Sequence, residues 1–219
     1  KGHLNQYIAH DCDAIVAGLY EYWACYQPLF PDKTVFIPFP IKQKSPKDKA
    51  DCQAHLPLKI FIGISKQRSA YKGTDIMLEA ARKLKQKYPK KVTLSIACGV
   101  PFQKYTQMMN DADVILDQLY SYTPAMNGLE AMSRGIICVG GGEPENYDIL
   151  GEERLRPIIN TEPNEKSVYN ALEQLISHPE MITALKEQSI LYIRKHHDYL
   201  QVARRYENLY QELIENPKE

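Results

Sequence analysis

Residues 113–143 read DVILDQLYSYTPAMNGLEAMSRGIICVGGGE, and this stretch decides the fold. An apolar, β-branched run (Val114–Leu116) enters a polar loop marked by Pro124. A short helical segment carrying one carboxylate, Glu130, follows, and a second apolar run (Ile136–Val139) leads into three glycines. Strand, loop, helix and strand in that order describe a parallel α/β sheet, whose strand ends are where phosphorylated ligands meet free backbone N–H groups and helix dipoles.

The same alternation extends in both directions. Short apolar runs recur at Ala14–Val16, Thr34–Ile37, Ile60–Ile64, Val92–Ala97 and Pro157–Ile159, with helix-period segments between them. The clearest is Thr74 to Tyr88, where Ile76, Met77, Ala80, Leu84 and Tyr88 share one face and Arg82, Lys83, Lys85 and Lys87 the other. Pro89 stops it. The expected fold class is therefore α/β: a Rossmann-like parallel sheet flanked by helices, followed by C-terminal helices. Residues 1–40 read as the end of a preceding Rossmann-like domain and 41–57, rich in Pro and Lys, as a linker. Residues 58–197 carry the main domain and 198–219 a terminal helix striped by Val202, Tyr206 and Leu209. Lys1 is not an initiator methionine, so the chain reads as a piece of a longer protein.

Composition narrows the function. The 219 residues carry 27 basic and 27 acidic side chains, a balance that disfavours a generic nucleic-acid or anionic-membrane binder. Lys42, Lys44, Lys47 and Lys49 form a local basic patch. Five scattered cysteines fit buried, reduced thiols of a cytoplasmic protein better than disulfides or a zinc cluster. No apolar run has the length of a membrane span.

Two segments carry chemistry. In GISKQRSAYKGTD (63–75) a strand ends, Lys66, Arg68 and Lys72 follow, and Gly73-Thr74 open a helix, with Thr74 as the expected N-cap. Cations beside a helix start suit a diphosphate; the same residues also fit a solvated loop. In the second segment the amides of Ala125, Met126 and Asn127 could hold phosphate, and Glu130 could accept two hydrogen bonds from a ribose. Considered together, the two strand ends favour a ligand site. Gly140-Gly141-Gly142 fits either close backbone approach to a ligand or a plain turn. The triplets Asp11-Cys12-Asp13 and Asp111-Ala112-Asp113 precede strands, at the edge opposite the ligand crevice, and read as solvated turns. His196 and His197 point apart on a helix, so no metal site is expected.

On these residues the chain resembles the retaining glycosyltransferases of family 4, which have the GT-B architecture of two facing Rossmann-like domains. DAIVAGLYEYWACYQPLFPDKTVFIPFPI (13–41) resembles the end of the N-terminal domain and the linker. IFIGISKQRSAYKGTDIMLEAARKL (60–84) resembles the opening of the C-terminal domain. ADVILDQLYSYTPAMNGLEAMSRGIICVGG (112–141) resembles the E-x7-E donor-binding region. The resemblance implies that Arg68 and Lys72, beside Gly73, bind the donor diphosphate. It further implies that Ala125, Met126 and Asn127 bind phosphate or sugar, that Glu130 binds the ribose, and that Val100-Pro101 matches a turn near the base. Two departures stand out. Tyr122 occupies the place of the first Glu, and the stretch from Val92 to Val114 is one βα unit short.

The resemblance implies a donor-binding portion of a metal-independent enzyme that needs no cofactor. It would transfer sugar from a nucleoside-diphosphate sugar to a glycan or lipid-linked acceptor held by the N-terminal domain. Its implied place is the cytoplasm, with peripheral contact at the inner membrane face left open. Alternatives are a degenerate, non-catalytic nucleotide-binding or scaffolding domain, and a nucleotide-sugar epimerase or hydrolase on the same fold.

Overall fold

A computed structural model describes residues 2–43, 52–54 and 56–216. Lys44, Lys47 and Lys49 of the basic patch, and most of the expected linker, lie outside the described residues. The N-terminal part comprises α1 (Gly2–Asp11), β1 (Ile15–Ala17), α2 (Tyr20–Tyr26) and β2 (Thr34–Phe36), with β1 and β2 paired in parallel. The main part runs β3 (Leu58–Ile64), α3 (Ser69–Lys72), α4 (Thr74–Lys87), β4 (Val92–Cys98), α5 (Phe102–Asn110) and β5 (Val114–Leu116). It continues with α6 (Met126–Met132), β6 (Ile137–Gly140), α7 (Pro144–Asp148) and β7 (Ile159–Asn160). Three longer helices close the chain: α8 (Glu165–Ser177), α9 (Glu180–His196) and α10 (Tyr199–Glu215). Among the described residues no helix is long and apolar enough to cross a membrane.

The main sheet is parallel, with strand order β4-β3-β5-β6-β7. Its central strands bury both faces, so alternate residues enter different cores. Ile60, Ile62, Val114, Leu116, Ile137 and Val139 face Met77, Leu84, Val168 and Leu172 of α4 and α8. Phe61, Ala97, Ile115 and Cys138 face Met109, Leu129, Met132 and Tyr192 of α5, α6 and α9. This is why the strands read as continuous apolar runs instead of alternating ones. A single strand and helix, β4 and α5, stand between α4 and β5, which is the short βα count read from the sequence. β4 consequently lies at the edge of the sheet.

Crossover direction fixes the crevice. From β3 the chain passes through α4 to β4 on one side, then returns through α5 to β5 on the other. β3 and β5 are thus neighbours whose outgoing connections diverge, leaving a gap beyond their carboxyl ends.

Several sequence expectations are corrected. Asp113 is no solvated turn residue. Its side chain is 5% exposed, with Oδ1 2.6 Å from Lys186 Nζ (3% exposed) and Oδ2 accepting the Lys59 N–H at 2.9 Å. One carboxylate therefore ties the starts of β3 and β5 to α9. Thr74 is not the N-cap of α4; Gly73, in the left-handed conformation (φ 70°), precedes the helix, and the buried Thr74 hydroxyl meets Ser69 Oγ at 2.9 Å. Among the described cysteines only Cys138 is buried; Cys25 and Cys98 are exposed. Val202 and Leu209 of α10 pack on Ile37, with Ala14, Val16 and Val35 of the N-terminal part alongside. Beside that stripe, Tyr210 and Ile214 of α10 are exposed.

His196 and His197 do diverge. His196 Nε2 lies 2.6 Å from Glu152 Oε2, while His197 Nδ1 lies 2.9 Å from the Phe39 carbonyl. The Ile41 N–H in turn donates to the His197 carbonyl at 2.7 Å, so this residue joins the N-terminal part to α9. Its Nε2 is buried without a hydrogen-bond partner among the described residues. Burial accordingly pushes the His197 imidazole down to about 4.

Two measurements follow. Lys186→Met leaves a buried carboxylate without its cation and should destabilise the protein by about 3–5 kcal/mol in urea unfolding; a loss under 1 kcal/mol would contradict the buried pairing. The neutral His197 ring contributes stability that is complete above its unfolded value, near 6.5, and is lost as pH falls towards 4. Unfolding free energy should therefore drop by about 2 kcal/mol between pH 7 and pH 5 on this account alone. His197→Phe should start lower but lose correspondingly less over that window; equal losses in both proteins would refute the assignment.

Candidate functional site

A cleft of about 770 Å³ opens at the crevice beyond β3 and β5. Gln67, Arg68, Tyr71 and Lys72, from the loop after β3 and from α3, form one wall. Gln118, Tyr120, Ser121 and the start of α6 (Ala125, Met126, Asn127) form the second. Leu19, Glu21, Tyr22 and Phe39 from the N-terminal part form the third. Five of the sequence-derived site residues therefore meet in one place: Arg68, Lys72, Ala125, Met126 and Asn127. Arg68 is exposed and Lys72 half-buried.

The other four stand apart from that lining. Gly73 supports the wall: its missing side chain leaves room for Leu119, whose Cβ would lie 2.9 Å from a Cβ at 73. The Leu119 N–H donates to the Lys72 carbonyl at 2.8 Å, pinning the two strand-end loops together. Val100 packs against the core on the α5 and α6 side of the sheet. Glu130 is 38% exposed and pairs through Oε1 with Arg134, one helical turn further on. Tyr122 is exposed, with its ring 5.1 Å from that of Tyr20.

The triple glycine serves the second wall. A Cβ at Gly140 would come within 2.5 Å of the Gln118 carbonyl oxygen, and one at Gly141 within 2.1 Å of the Ser121 carbonyl oxygen. The glycines let the 118–121 backbone settle directly on the end of β6, and the Gly141 N–H donates to Gln118 O at 3.0 Å. Of the two readings open from sequence, close approach applies, but to the neighbouring loop.

Two acidic residues in or below the cleft were missed in the sequence. Asp117, 5% exposed at the end of β5, accepts the Ala125 N–H at 2.6 Å. The first amide expected to serve a ligand is thus engaged internally. Burial pushes the Asp117 carboxyl up, while the Lys72 ammonium and the Ala125 N–H oppose that rise. The second is Glu21, in the first turn of α2. Its carboxylate accepts hydrogen bonds from the Ser121 hydroxyl, the Tyr122 N–H (2.7 Å), the Thr123 N–H (3.1 Å) and the Thr123 hydroxyl. Acidic character at a helix start gave no sign of a contact 100 residues away; that contact is purely tertiary. The cleft thus presents cations on one wall and a carboxylate on another, an arrangement suited to a ligand with an anionic part and a hydroxyl-bearing part.

No protein-family model matches the chain, and no curated protein does. Solved structures do match its fold. The pneumococcal O-GlcNAc transferase GtfA, solved with UDP and GlcNAc, superposes with a TM-score of 0.66 at 13% identity, over 95% of this chain and 46% of its own. Anabaena HepE, solved with UDP, gives 0.65 at 14% identity, over 94% of this chain and 65% of its own. Sucrose-phosphate synthase from Thermosynechococcus elongatus gives 0.66 at 15% identity, over 97% and 61%. The chain spans roughly half to two-thirds of the length of these structures. Its fold, a parallel sheet flanked by helices, is that of the Rossmann-like domains of GT-B glycosyltransferases.

Proposed function

We propose that the chain is the donor-binding portion of a glycosyltransferase that takes a nucleoside-diphosphate sugar and passes the sugar to a glycan or lipid-linked acceptor. The observation that carries this reading is the cleft at the diverging ends of β3 and β5, with Arg68 and Lys72 on its wall. In this reading the two cations neutralise the donor diphosphate and stabilise it as it leaves. Fixed cations can do this without a metal ion. Backbone at Met126 and Asn127 adds to the same subsite. Glu130 uses Oε1 for Arg134 and offers Oε2 to a ribose hydroxyl, and Val100 sits towards the base. Retention of anomeric configuration and an acceptor site on the remainder of a two-domain enzyme belong to the same proposal. So does a cytoplasmic location with peripheral membrane contact.

A non-catalytic nucleotide-binding module is the second reading, favoured by Tyr122. Its ring faces Tyr20 instead of supplying a carboxylate.

Calorimetric titration with UDP, GDP and ADP tests the proposal. One diphosphate should bind saturably, and Lys72→Ala should weaken it about tenfold, the worth of one charge-assisted contact. Glu130→Ala should weaken the nucleoside diphosphate while leaving inorganic diphosphate binding unchanged. A folded protein that binds none of the three would sink the donor-site reading.

A further inference from the structure

We infer that Glu21 is the carboxylate that binds the hydroxyl-bearing group of the ligand, the sugar of the nucleotide sugar; this rests on the donor-site reading above. The side chain is held in an asymmetric way. Oε1 accepts from the Ser121 hydroxyl and from the N–H groups of Tyr122 and Thr123, at 2.7 and 3.1 Å. A carboxylate oxygen has two strong acceptor directions, so Oε1 is fully engaged. Oε2 accepts the Thr123 hydroxyl at 3.0 Å and keeps acceptor capacity. Glu21 is at the same time part of the cleft wall.

Charge decides what the remaining capacity is for. An ionised carboxylate repels a diphosphate, and Arg68 and Lys72 already offer that group a wall of its own. The group that gains from Glu21 is a neutral donor, and the hydroxyls of a hexose are such donors. The anchoring also fixes the rotamer in advance, so little side-chain freedom remains to be lost on binding. Tyr122 contributes through its backbone: it brings no carboxylate of its own, and its N–H holds one delivered from the N-terminal part.

A bland role is available to the same contacts, that of a clasp between α2 and the 121–123 loop. Glu21→Gln separates the two. Its amide oxygen can take the place of Oε1 and keep all three contacts there, and its NH₂ can donate to the Thr123 hydroxyl oxygen. The clasp survives while the free anionic oxygen is lost. The experiment is titration of wild type and Glu21→Gln with UDP against UDP-glucose, GDP against GDP-mannose and ADP against ADP-glucose, with melting temperatures alongside. For the pair that binds, Glu21→Gln should leave the diphosphate within about twofold and weaken the nucleotide sugar about tenfold. Equal weakening of both ligands, or of neither, would overturn the assignment and leave Glu21 as a clasp. A wild-type protein that binds no diphosphate and no nucleotide sugar would overturn the donor-site reading itself, and this inference with it.

Discussion

β3 and β5 are adjacent in a parallel sheet, yet their connections leave towards opposite edges. Parallel strands require crossovers, and crossovers that part company cannot cover the gap they leave. The candidate site is arranged around that gap. The same two strands are fastened at their other end by Asp113, which binds the backbone of Lys59 on β3 and the ammonium of Lys186 on α9. A buried ion pair of this kind contributes little net stability, but its desolvated groups tolerate few alternative arrangements. Here it sets the register at the closed end of the sheet, and the cleft opens at the other.

The second wall of the cleft is shaped by backbone packing more than by side chains. Gly140 and Gly141 admit the Gln118–Ser121 backbone at distances no Cβ would allow, and Gly73 makes room for Leu119 on the facing loop. Asp117 then sits beneath α6 with its charge opposed to that of the cleft cations, close enough to Lys72 to be influenced by it. The cleft is therefore electrostatically mixed within a few side chains, with Arg68 and Lys72 on one wall, Glu21 on another and Asp117 beneath the start of α6.

Fold class and most strand positions were legible because burial on both faces writes itself into sequence as continuous apolar runs, as at 60–64 and 136–139. The short βα count was legible for the same reason: only Val92–Ala97 has the character of a strand between α4 and β5. The position of Arg68, Lys72 and Ala125–Asn127 beside the cleft was legible because each lies within about ten residues after a strand end. The roles of Asp113, Thr74 and Glu21 were not, since each depends on a partner distant in sequence or on a dihedral angle. Asp113 looks like any turn aspartate until Lys186 is placed beside it, and Thr74 like any cap until Gly73 adopts φ 70°. Glu21 had no local pattern at all; only folding sets α2 against the 121–123 loop. Likewise the apolar stripe of α10 was evident, whereas its packing against Ile37 and the β1–β2 pair was not.

β4 ends the sheet, and its outer row of N–H and C=O groups has no strand beside it among the described residues. The crevice lies between β3 and β5, on the inner side of that edge strand, so strands added beyond β4 would leave the walls of the cleft in place. The rim is in this sense separable from the cleft on its outer side only, since β4 itself carries the chain from β3 back to β5. The cost falls on solubility instead, since an open edge is a template for pairing with another chain. Ser95 and the exposed Thr93 and Cys98 keep that rim polar enough to temper the hazard, while the exposed Ile96 marks where it is least protected.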